Sequence, residues 1–147
     1  MNAENIRKIR EFNRSYTRVL KLTDKYHLDT QYTLLESRLL LEIDRGVNSA
    51  NQLMLLLHVD KGYLSRTLKK LKSEGLLIEV PNDQDKRIKN LNLTNDGEKV
   101  LKMIDQRADT QVETLFSSIP TEELENVIRD MQEIKNAVKK YSHDKEI

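Results

Sequence analysis

The sequence predicts a mainly α fold with one small β-hairpin. Three observations lead there. Only four Gly and two Pro occur among 147 residues, and all six lie between positions 46 and 120, so both ends read as uninterrupted helices. Apolar residues recur at helical spacing through most of the remainder. Two short runs, 76–80 and 89–93, read instead as strands separated by polar turn material.

The elements follow in order. Residues 4–26 place Ile6, Ile9, Phe12, Tyr16, Val19 and Leu20 on one helical stripe, with basic residues on the other faces. A loop at His27–Gln31 separates this helix from the next. Thr33-Leu34-Leu35-Glu36 is a capping box: the Thr hydroxyl accepts from a free first-turn amide and the Glu reaches back to the cap amide. The second helix runs to about Asp44, with Leu35, Leu39, Leu40 and Ile43 inward and Gly46 as its stop. Ser49-Ala50-Asn51-Gln52 repeats the capping-box pattern and opens a short helix through Leu57. Asp60 caps a fourth helix that ends at Gly75 and carries the stripe Leu64, Leu68, Leu71. Only His58-Val59-Asp60 links the two, which suggests a helix-turn-helix.

Leu76–Val80 and Lys89–Leu93 form the hairpin, with Asn90 and Asn92 on one face and Leu91 and Leu93 on the other. Thr94-Asn95-Asp96 caps a fifth helix with Val100, Leu101, Ile104, Ala108, Val112, Leu115 and Phe116 at helical spacing. Pro120-Thr121-Glu122-Glu123 opens a sixth, where the acids suit the positive end of the helix dipole. Its stripe is Leu124, Val127, Ile128, Met131, Ile134, Val138 and Tyr141.

Composition narrows the function. A chain of 147 residues predicts one domain, large enough to bury a core without staples. Cysteine is absent, which excludes disulfides, thiolate metal sites and cysteine redox sensing, and fits a cytoplasmic protein. No apolar run approaches the roughly 18 residues of a membrane span, and the first residues lack the apolar stretch of a secretory signal. The three histidines, His27, His58 and His143, share no metal-ligand spacing, so no metal site is expected. No nucleophile elbow, phosphate loop or acid–base constellation appears; the chain reads as a non-enzyme without catalytic residues or a cofactor.

The net charge of +1 conceals an uneven distribution. Residues 61–72 hold Lys61, Arg66, Lys69, Lys70 and Lys72 and no acid, whereas residues 121–147 hold seven acids against five bases. With Leu64, Leu68 and Leu71 turned to the core at about 100° per residue, Gly62, Arg66, Lys69 and Lys70 face away, flanked by Tyr63 and Ser65. In a helix-turn-helix the first turns of the second helix meet base edges in the major groove. Arg66 and Ser65 have suitable chemistry for that, and Lys61, Lys69 and Lys70 suit phosphates. Tyr63 serves equally for stacking on sugar or for packing beside the helix. Lys86 and Arg87 stand on the hairpin tip, where an Arg suits a narrow minor groove. Asp85 is out of place beside phosphate, and its expected role is to hold Arg87 in one pose.

The run Asp60–Leu71, then Glu74-Gly75-Leu76-Leu77, then Asp85-Lys86-Arg87, then Leu91–Gly97, resembles the signature of MarR-type winged helix-turn-helix transcriptional regulators. The resemblance implies one domain over 1–147. Its winged module would span about 33–95, and its dimerisation helices about 4–26 and 96–142. It implies a homodimer on a near-palindromic operator in double-stranded DNA, acting as a repressor and released by a small-molecule effector, often aromatic or anionic. Glu79 and Val80 stand where the family often has Arg or Lys, so one wing phosphate contact is expected to be missing.

Ile6, Ile9, Phe12, Leu124, Val127, Ile128, Met131 and Ile134 are the expected dimer contacts, because two long flanking helices carry more apolar surface than one small module covers. Tyr16, Arg18 and Arg38 are conceivable effector contacts. The near-zero net charge leaves an alternative open: a protein-binding winged helix with no DNA role.

Overall fold

The computed structural model describes residues 1–142; His143 lies outside them. The helices are α1 (Ala3–Val19), α2 (Leu34–Asp44), α3 (Ala50–Leu57), α4 (Lys61–Ser73), α5 (Asn95–Phe116) and α6 (Thr121–Tyr141). Strands β1 (Leu77–Pro81) and β2 (Lys89–Leu93) form an antiparallel hairpin, with Leu77 opposite Leu93 and Glu79 opposite Leu91.

Five helix starts are set by side chains, the first by Asn2, whose Oδ1 accepts from Asn5 N at 2.8 Å. Thr33 Oγ1 accepts from the Glu36 amide at 3.2 Å, and the Glu36 carboxylate returns to the Thr33 amide, completing the capping box. Asp60 and Thr94 accept from Tyr63 N and Gly97 N. Ser49 accepts from Gln52 N at 3.2 Å, but no return bond from Gln52 completes a box there.

The core gathers Leu39, Leu40 and Ile43 of α2, Leu53 of α3, and Leu64, Leu68 and Leu71 of α4. Leu76, Leu77 and Leu91 of the hairpin region, Leu101 and Ile104 of α5, and Tyr32 just before α2 complete it. Burying each such side chain contributes about 1.5–3 kcal/mol against chain entropy. Leu35 is only half-buried. The start of α5 lies so close to the chain entering β1 that a Cβ on Gly97 would collide with the Leu76 carbonyl. Thr94 N donates to that same carbonyl at 3.0 Å.

The first helix is shorter than its periodicity predicts. It stops at Val19, not near position 26, because Lys21 turns left-handed at φ 54°. Lys21 N then donates to Arg18 O and Leu22 N to Thr17 O, the paired bonds of a Schellman stop. Residues 20–33 form turns, including a 3-10 turn at His27–Asp29. The first strand also begins one residue later than expected and runs through Pro81.

No residue of α1 or α6 is buried within the single chain. Ile6, Ile9 and Phe12 are about half exposed, as are Ile128, Ile134 and Val138. No helix among the described residues is long and apolar enough to cross a membrane.

Candidate nucleic-acid interface

The candidate surface is built on α4. Its apolar stripe is sealed into the core, so geometry turns the opposite side outward. Lys61, Gly62, Tyr63, Ser65, Arg66 and Lys69 are all exposed. Gly62 leaves room in the first turn: a Cβ there would come within 3.2 Å of Asp60 Oδ2 and 3.3 Å of Arg66 Nη1. The Arg66 guanidinium thus lies back across the turn that Asp60 caps. Lys61, Arg66 and Lys69 form no ion pair among the described residues, so their charge faces solvent.

The hairpin tip is ordered by its own side chains. Asn82 Oδ1 accepts from the amides of Gln84 and Asp85, at 2.8 and 3.1 Å. Ile88 N donates to Asp85 O, and Asn82 N to Ile88 O. The Asp85 carboxylate takes both Nε and Nη2 of Arg87 at 3.1 Å each. These charge-assisted bonds hold the Asp85 carboxyl below its ordinary value. The pose expected for Arg87 is therefore fixed at the tip, with the side chain 90% exposed. Lys86 is exposed beside it.

Lys70 departs from the phosphate-facing arrangement expected of it. Its ammonium turns to Glu36 on α2, with Nζ 3.1 Å from each carboxylate oxygen. Glu36, read in the sequence only as a cap, is almost fully buried and supplies the charge that claims Lys70. A partner 34 residues away leaves no mark on local periodicity. The tie between Lys72 and Glu79 is equally invisible in the sequence. Lys72 Nζ donates to Glu79 at 2.6 Å and joins α4 to β1, while Lys89 approaches the same carboxylate at 3.8 Å. The acid standing where the family often has a base thus ties the wing to the helix.

Between the segment 19–29 and α5 lies a cavity of about 260 Å³, walled by Val19, Lys21, Leu28 and Asp29 and by Arg107, Thr110, Gln111, Thr114 and Leu115. Gln111 Nε2 donates to Leu20 O across it at 3.1 Å. Tyr16, Arg18 and Arg38 do not line it. Arg38 instead pairs with Glu42 at 3.3 Å. No group of three or more His, Cys, Asp or Glu side chains among the described residues could hold a metal.

Helix-turn-helix, cationic second helix and hairpin tip together define a winged helix-turn-helix protein. The sequence model of the MarR family matches residues 30–88. The HTH-type transcriptional regulator BilQ of Clostridioides difficile is 31% identical over 103 residues, covering 67% of this chain and 70% of BilQ. The chain belongs to the MarR family of transcriptional regulators.

Solved structures agree in fold. Streptococcus pneumoniae FabT, crystallised in complex with DNA, superposes with a TM-score of 0.75 at 18% identity, over 92% of this chain and 98% of FabT. Bordetella bronchiseptica BpsR, whose DNA binding is regulated by 6-hydroxynicotinic acid, gives 0.64 at 16% identity, over 86% and 91%.

Proposed function

We propose that this regulator works as a homodimer that reads a near-palindromic operator and represses transcription until a small effector releases it. The observation carrying this reading is the outward face of α4, where Arg66 and Lys69 stand free of ion pairs among the described residues, beside an Arg-bearing wing. Arg66 and Ser65 would meet base edges and Lys61 and Lys69 phosphates, with Gly62 giving the backbone close approach. Tyr63 would stack on sugar. Lys86 and Arg87 would enter the minor groove, with Asp85 supporting the wing.

The exposed stripes of α1 and α6 support the dimer: helices with no buried residue of their own gain little from propensity alone and need a partner to cover them. Residues 33–95 then form the reading module, while 3–19 and 96–142 pair the subunits. The cavity between residues 19–29 and α5 offers the effector Lys21 and Arg107 against the single acid Asp29, a balance that favours an anion. FabT bound to DNA and BpsR under an aromatic acid illustrate both behaviours on this fold. A cytoplasmic location follows from the role.

The test is fluorescence anisotropy with duplexes selected from host genomic DNA. Arg66→Ala and Arg87→Ala should each weaken binding about tenfold or more, and affinity should fall steeply with salt. Unchanged affinity in both variants would refute the docking. No preference for selected over random duplex would favour a protein-binding module instead.

A further inference from the structure

We propose that Glu36 and Lys70 are a positioning pair that sets the pose of the reading helix, so that Lys70 serves the protein and not the phosphates. The proposal rests on the reading of α4 as the DNA-contacting helix.

The geometry has three parts. First, the Glu36 carboxylate is 3% exposed and held in the first turn of α2, whose Leu39 and Leu40 lie at the centre of the core. It is therefore an anchor that cannot swing. Second, Lys70 Nζ reaches both its oxygens at 3.1 Å, with Glu74 farther off at 3.9 Å. The Glu36 hydrogen bond is the main reason the ammonium titrates above its ordinary value. Third, Lys70 lies one turn beyond Arg66 on the same helix, so whatever fixes Lys70 fixes the direction in which Arg66 is presented.

Apolar contacts alone do not do this well. Leu64, Leu68 and Leu71 hold α4 against the core, but hydrophobic burial is non-directional and tolerates small rotations. A charge-assisted bond to a buried oxygen pair is directional. The Lys72–Glu79 bond, at 2.6 Å, grips α4 from the wing side. Rotation about the helix axis is thereby opposed from two neighbouring elements. A phosphate contact by Lys70 would leave the Glu36 carboxylate buried without its counter-charge, an expensive exchange. Lys69, adjacent and free of ion pairs among the described residues, has no such conflict.

The experiment compares salt dependence on one selected duplex. Removing one phosphate-bound cation from each subunit lowers the slope of log affinity against log salt by about 1.8, at roughly 0.9 per phosphate. Lys69→Gln should show that reduction. Lys70→Met should weaken binding about tenfold at fixed salt while leaving the slope unchanged. Glu36→Gln keeps the capping pattern but removes the charge, and should weaken binding similarly. The double variant should be no worse than either single one, and Lys70→Arg should recover most of the affinity.

Each measurement is made where circular dichroism shows the variant fully folded. A slope reduction in Lys70→Met equal to that of Lys69→Gln, with Glu36→Gln binding normally, would overturn the proposal. So would folded Lys70→Met with unchanged affinity, which would make the pair structural only. Wild-type protein unable to tell selected from random duplex would overturn both the DNA reading and the pair.

Discussion

Arg87 and Asp85 close a two-point ion pair at the wing tip, and the Arg87 backbone amide donates to the same carboxylate at 3.1 Å. The pair trades net charge for a fixed pose. Replacing Asp85 with Ala should therefore act in opposite directions on two ligands. Affinity for the selected duplex should fall about threefold to tenfold as the pre-ordered pose disappears. Affinity for random duplex should rise, because each subunit loses a negative charge that repels phosphate. Anisotropy titrations with both duplexes check this; parallel changes would contradict it.

His27 should make stability pH-dependent below about 6.5. Burial, and then the charge of Arg38, hold its imidazole below the ordinary 6.5. The folded protein thus favours neutral His27, and between the folded and unfolded values the unfolded chain binds more protons. Stability is full above 6.5, declines as pH falls through that window, and levels off beneath the folded value. Denaturant unfolding of wild type and His27→Gln at a series of pH values should show a decline that the variant lacks.

Left-handed helix stops differ in strain. Gly75 holds φ 77° without a side-chain penalty, whereas Lys21 holds φ 54° against one. Lys21→Gly should stabilise the fold by about 1 kcal/mol, and Gly75→Ala should destabilise it by at least as much. Chemical denaturation of the two variants decides the matter.

Ile9 and Ile134 are each about half exposed in the single chain, at 50% and 53%. Placing a charge there should cost little in an isolated subunit but much in a paired one. Ile9→Glu and Ile134→Glu should shift sedimentation from dimer towards monomer and weaken duplex binding. Variants that remain dimeric would place the contact elsewhere.

Much of the fold is legible because its signals are local. Thr33, Asp60 and Thr94 cap helices through atoms a few residues away, and Leu64, Leu68 and Leu71 repeat within a single helix. The stop at Lys21 is illegible because a non-glycine residue adopts the left-handed turn; Leu28, Asp29 and His58 do the same. At the candidate site, the outward faces of Lys61, Arg66 and Lys69 follow from periodicity. The Lys70–Glu36 and Lys72–Glu79 bonds do not, since each depends on how separate elements pack. Glu79 stands out in the sequence as an acid at a customarily basic position, yet its partner emerges only in three dimensions.

The proposed division, pairing by α1 and α6 and reading by α4, makes the protein vulnerable to its own defective copies. A subunit altered at Arg66 and Arg87 would keep α1 and α6 intact and would still capture a healthy sibling. The mongrel pair would grip half a palindrome. In a cell carrying both alleles, the broken one would be genetically dominant, derepressing genes that one good copy could otherwise silence.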